Sequence, residues 1–296
     1  MRQLTNEAKA EQTRLPCLAK RKKPIGQILN VSIPKSWQEL PDKELRFVFR
    51  LLQGEYSLTQ IKTLCLLRWG QLKIVRREGA VFIVRHHKKN YPLTTLQICE
   101  VCGLARANEA GFNGRAQANS NVVQSTEALA WLGDFPQYPV RLSRIGIYRP
   151  VRADFQNVSF GDFLALDNLY QGYLQTQREE LLHDMALVMY QTKHIHLSKV
   201  EQINIFYWFT SLKRWFANMF SHFFKMEKSD ENGSTMLSFK ELQQNMNTQI
   251  RALTGGDITK EKEVLQMDCW RALTELEAKA VDYEDMKKHS KSSSYG

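Results

Sequence analysis

The residue pattern predicts an α+β fold that is predominantly α-helical: a small N-terminal helix pair plus a β-hairpin, then a C-terminal, bundle-like helical part. Three observations predict it. Beyond residue 158 the apolar residues recur at helical spacing behind Ser-x-x-acid starts. Around Glu78-Gly79 apolar and polar residues alternate as in a hairpin. At 43% hydrophobic, a chain of 296 residues can bury a large core, which excludes global disorder.

Residues 1–24 read as a flexible basic tail holding Lys20, Arg21, Lys22 and Lys23 before Pro24. An α+β part over 25–104 follows. Gln27 to Ile33 alternates weakly, as a short strand would. Pro41 opens a helix over Asp42 to Gln53 that stops at Gly54, and Ser57 caps a second over Leu58 to Trp69. In the hairpin, Leu72, Ile74, Val81 and Ile83 are the expected inward set. Arg76 or Arg77, Arg85 and the run His86-His87-Lys88-Lys89 are expected outward. Thr94 or Thr95 opens a short helix to about Cys102.

The stretch 105–121 is Ala, Asn, Gly and Arg with little apolar ballast, and reads as a mobile loop. The part 122–158 reads as a helix to Leu132 and a proline-framed irregular segment with a strand at Ile145–Tyr148. An all-α part over 159–289 and a loose tail over 290–296 complete the division. Its capping-box patterns are Ser159…Asp162, Ser198…Glu201 and Ser238…Glu241; the segments behind them share nothing further, so no repeat is inferred. The first helix is expected to run unbroken to about Tyr190. The second, Lys199 to about Lys225, carries Phe206, Trp208, Phe209, Trp215, Phe216, Phe220 and Phe223 around a narrow polar stripe of Asn204, Ser211, Arg214, Asn218, Ser221 and Lys225. An apolar arc of about 200° is broader than a surface helix needs. It belongs in a core or at a subunit interface. Lys213 and Arg214 in its middle argue against a membrane span. The third helix covers Phe239 to Leu253, and the last runs from Asp257 or Thr259 to about Lys288.

Charge is unevenly placed. Residues 1–150 hold 24 Lys/Arg against 11 Asp/Glu, a net +13, while 151–296 hold 17 against 20, a net −3. The first half therefore suits an anionic partner. Lys20, Arg21, Lys22, Lys23, Arg76, Arg77, Arg85, Lys88 and Lys89 are the candidate contacts with nucleic acid; the plain alternative is a solvated hairpin face. The start, Met1 to Leu15, is polar, so no secretory leader is expected. The five sparse cysteines fit a reducing compartment, and the cytoplasm is the expected location.

Chemistry is thinly signalled. Cys99-x-x-Cys102 lacks a second pair for a structural zinc site. Glu180-x-x-His183 is half of a di-iron helix signature and has no counterpart. His194-Ile-His196 has no carboxylate or cysteine close by. Phosphate-cradling glycine motifs, nucleophile elbows and HExxH are absent. The expectation is a non-enzymatic protein with no cofactor, no metal, no membrane span and no small-molecule substrate.

Six stretches carry a resemblance: Ile33-Pro34-Lys35-Ser36-Trp37-Gln38-Glu39-Leu40; Leu64-Cys65-Leu66-Leu67-Arg68-Trp69; Asn168-Leu169-Tyr170-Gln171-Gly172-Tyr173; Phe206-Tyr207-Trp208 with Ser211-Leu212-Lys213; Met246 through Thr254; and Trp270-Arg271-Ala272-Leu273-Thr274-Glu275-Leu276. Together they resemble proteins encoded in phages and prophages of gut Bacteroidetes, from about Ile33 to Lys288. The resemblance implies a virion component or a factor such as a tail assembly chaperone. Its partners would be other phage proteins or further copies of itself, in the host cytoplasm or the virion. It brings no functional residue with it.

Overall fold

A computed structural model describes Leu29, residues 31–94, Ile98, residues 128–228 and residues 239–293. The fold is α+β and predominantly helical. Helices α1 (Asp42–Gln53) and α2 (Leu58–Trp69) precede strands β1 (Lys73–Glu78), β2 (Val81–His86) and β3 (Lys89–Thr94). Then come α3 (Phe160–Thr176), α4 (Glu179–Met189), α5 (Lys199–Met219), α6 (Ser221–Lys228), α7 (Phe239–Thr254), α8 (Glu261–Gln266) and α9 (Cys269–Ser293).

The strands form an antiparallel meander rather than a hairpin. The third strand was hidden because Pro92 cannot donate to a ladder; it sits on the sheet edge, where that costs nothing. The Ser57–Gln60 capping box opens α2 as its residue types require, with bonds of 2.8 and 3.3 Å. The strand expected over Gln27–Ile33 does not occur at Leu29 or 31–33. Ile145 and Tyr148 form a two-residue turn, not a strand. The tail, the helix towards Cys102, the loop 105–121 and Ser238 lie outside the described residues.

Three expected helices are broken, each for a physical reason. The first ends at Thr176 because Gln177 adopts the left-handed conformation (φ 56°) that closes a helix. The chain then turns so that α4 packs on α3. Gly172 permits the approach, since a Cβ there would lie 3.3 Å from a Leu181 methyl. The second breaks at Phe220, because the Glu277 carboxylate on α9 accepts the backbone N–H groups of His222 (3.1 Å) and Phe223 (2.8 Å) and so caps α6. The last breaks at Met267, where the chain bridges back to Ser159: Phe160 donates to Met267 O and Cys269 to Val158 O, both at 2.8 Å. Asp268 then caps α9 through the N–H of Trp270 at 3.0 Å.

Helix α5 is the axis of the core. Phe209 meets Phe163 and Tyr170 of α3; Phe216 meets Trp270 of α9; Tyr207 meets Trp37 and Phe49 of the N-terminal part. The buried residues from Leu29 to Ala280 consequently form one continuous cluster. Among the described residues, no helix is long and apolar enough to cross a membrane.

Candidate nucleic-acid interface

Register decides which sheet residues face solvent, because residues directly opposite in neighbouring strands share a face. Lys73, Arg85 and Asn90 form one cross-strand row, and Arg76, Ile83 and Pro92 the next. Glu78, Val81 and Thr94 form the third. The opposite face carries Val84 and Leu93, both buried, with Phe82 and Tyr91 packed against the core. Phe82 and Val84 therefore point inward, not the expected Val81 and Ile83. The cause is a bulge between Ile74 and Arg76, which shifts the phase of β1 against β2 by one residue.

The solvent face thus gathers Lys73, Arg76 and Arg85 on two adjacent rows, with every residue of β1 exposed. Arg76 pairs with Glu78 at 2.8 Å, the single acid on this face. Arg85 donates to Asn90 at 3.3 Å. Lys73 has no ion pair among the described residues; the sequence reading missed it, because only the bulge brings it opposite Arg85. Arg77 faces the other way, donating to Gly79 O at 2.9 Å with its guanidinium 5.4 Å from the centre of the Phe82 ring. Lys88 occupies the β2–β3 turn with positive φ beside His87, and Lys89 pairs with His86 at its foot. By that pairing Lys89 shares the face of Val84, so only the exposed turn residue Lys88 stands at the end of the basic face. Lys20, Arg21, Lys22 and Lys23 lie outside the described residues.

The aromatic set of α5 faces inward. Trp208, Phe209 and Phe216 are fully buried, Phe220 and Phe223 buried, and Phe206 and Trp215 half-buried against the core. This corrects the interface reading: the wide arc is covered by the chain's own helices and is not free for a partner. Of the polar stripe, Arg214, Asn218, Ser221 and Lys225 are exposed. Asn204 and Ser211 are completely buried. Asn204 Oδ1 accepts the backbone N–H of Leu142 at 2.9 Å, and Ser211 donates to Trp208 O at 2.8 Å.

Around Asn204 lies a polar junction between the two halves. Arg46 of α1 donates to Glu201 at 2.7 Å and to Arg144 O at 3.3 Å. Asp42 accepts both the N–H and the hydroxyl of Ser143. Burial pushes the Tyr190 phenol up and the Arg141 guanidinium down from their ordinary values. Burial also works against the Glu201 carboxylate, yet bonds from Ser198 and Arg46 hold it below its usual range. These groups fasten 141–145 to α1 and α5.

Of the groups that suggested chemistry, His183 has a structural contact. His183 Nε2 lies 2.9 Å from Ile195 O and ties α4 to the following connection. No group of three potential metal ligands occurs among the described residues; Cys99 and Cys102 lie outside them. Cys65 and Cys269 are both buried. A cleft of about 400 Å³ runs between the segment 32–39 and α2. Its charged pair is engaged: Glu44 accepts from Arg68 at 2.6 and 3.0 Å and from Trp69 Nε1 at 2.9 Å. The Arg68 guanidinium holds the Glu44 carboxyl below its ordinary value.

No family model matches the chain, and no curated protein or solved structure is significantly similar to it.

Proposed function

We propose that this is a non-enzymatic binding protein that grips a nucleic-acid backbone on the solvent face of its three-stranded sheet. One observation carries the reading: Lys73, Arg76 and Arg85 converge on one exposed face, with Glu78 as its single acid. Point charges spaced along a rigid sheet suit phosphate contact. Phe82 and Tyr91 belong to the core-facing side, which leaves no aromatic platform on this face for stacked single-strand bases. Duplex is therefore the favoured form. The test is binding of nuclease-treated protein to duplex across a salt series. The slope of log affinity against log salt should be about −0.9 per neutralised phosphate. Absence of binding at low salt refutes the reading.

A second reading keeps the assembly role that the phage resemblance implies. Tyr283 and Met286, one helical turn apart on the outer part of α9, are 51% and 65% exposed and favour a protein partner there. A chain that is monomeric in light scattering and draws down no virion or assembly protein sinks it.

A further inference from the structure

Ile147 stands 87% exposed, more than any other large apolar residue among those described. It occupies a tight turn closed by two backbone bonds, Ile145 N–H to Tyr148 O (3.1 Å) and Tyr148 N–H to Ile145 O (3.0 Å). Gly146 supplies the positive φ of 56° that the first central position demands. A Cβ built on Gly146 would meet nothing within 4 Å, so the tip stands clear of the protein body. The base is held firmly. Ile145 and Leu142 are buried, Ser143 is bonded to Asp42, and Arg144 O accepts from Arg46. On either arm, just outside the bridged pair, Arg144 and Arg149 are exposed and have no ion pair among the described residues. Two like charges on facing arms disfavour each other unless an anion lies between them.

We propose that this turn is a second DNA contact, in which Ile147 wedges between base steps in the minor groove while Arg144 and Arg149 hold the flanking phosphates. The inference rests on the reading that the protein binds duplex. A single apolar side chain suffices to unstack one step and kink a duplex. Arginines on either side of such a wedge suit the phosphates that flank it. A bilayer fits less well, because stable attachment takes a larger anchor than one isoleucine and two cations.

The test uses the full chain and a short duplex carrying a fluorescent donor and acceptor at its ends. The wild type should raise energy transfer on binding, as a bend brings the ends together. Ile147→Ala should bind roughly tenfold more weakly, a loss of about 1.4 kcal/mol, with the rise in transfer abolished and Tm unchanged. Replacing Arg144 and Arg149 with Ala should flatten the salt slope by about 1.8. An Ile147→Ala complex that bends DNA like the wild type overturns the inference, as does protein captured by phosphatidylserine vesicles that duplex does not displace. If Lys73, Arg76 and Arg85 variants abolish binding while turn variants leave transfer intact, the sheet reading stands and the wedge falls. If no duplex binds at low salt, both fall.

Discussion

Strand β1 exposes all six of its residues, whereas α5 buries eight of its 21, three of them the polar Asn204, Thr210 and Ser211. The two segments hold the most conspicuous residue sets in the chain, one cationic and one aromatic. An aromatic set of that density is stable out of water, and α1, α3 and α9 pack rings against it. Long cations behave in the opposite way, since their desolvation costs more than a core contact returns. They collect where an edge strand leaves them in solvent. Density of one residue type therefore marks a surface when the type is charged and a core when it is apolar.

Removing a ring from α5 should give the largest effect. Trp208 is fully buried, packs edge-on to Phe155 and donates its indole N–H to Ala153 O at 2.9 Å. Trp208→Ala should cost about 3–5 kcal/mol, read as a fall in the denaturant midpoint. An unchanged midpoint would mean that the helix does not anchor the core. Next comes the polar residue buried on the same helix. Asn204→Ala leaves the Leu142 N–H without an acceptor and should cost about 1–3 kcal/mol. Amide exchange at Leu142 should accelerate with it; slow exchange would show that another group has taken over the bond.

Much of this division was legible in the residues. The width of the aromatic arc already demanded a core or an interface, and the chain's own helices decide between them. The helix starts were legible because Ser159 and Ser57 are cap formers with a suitable residue three positions on. The breaks were not. Gln177 takes a conformation usually given to glycine, and α6 is capped by Glu277, more than 50 residues away. Nothing local announces either. The sheet's inward face was misread because the bulge at Val75 changes the phase without any glycine or proline to signal it. Lys73 was missed for the same reason, and Ile147 drew no attention because an isolated isoleucine in a loop looks like any other.

A smaller effect should come from pH. Burial raises the Glu277 carboxyl, but the N–H groups of Phe223 and His222 and the His222 ring outweigh it and hold the group below its ordinary value. A depressed carboxylate stabilises the fold above the unfolded value of about 4.3, and the contribution is lost as pH falls through the folded value. Glu277→Gln should therefore lower stability near neutrality by about 1–3 kcal/mol and flatten the acid limb of a stability–pH curve. An acid limb identical to the wild type's would place the acid-sensitive contact elsewhere.

The smallest effect on the fold, and the sharpest on function, belongs to the sheet. Replacing Lys73, Arg76 and Arg85 with Ser removes exposed side chains whose strongest bond is a surface ion pair to Glu78. Such pairs contribute about 0–1 kcal/mol, so Tm should hardly move. Duplex affinity should fall at low salt, and the salt slope should flatten by about 2.7 if each cation covers one phosphate. Trp208→Ala should do the reverse, lowering Tm while leaving the slope of the folded fraction intact. If the sheet variant melts early, β1 is part of the structural frame; if its slope is unchanged, the phosphates lie on another surface, and the contrast between the exposed strand and the buried helix carries no functional meaning.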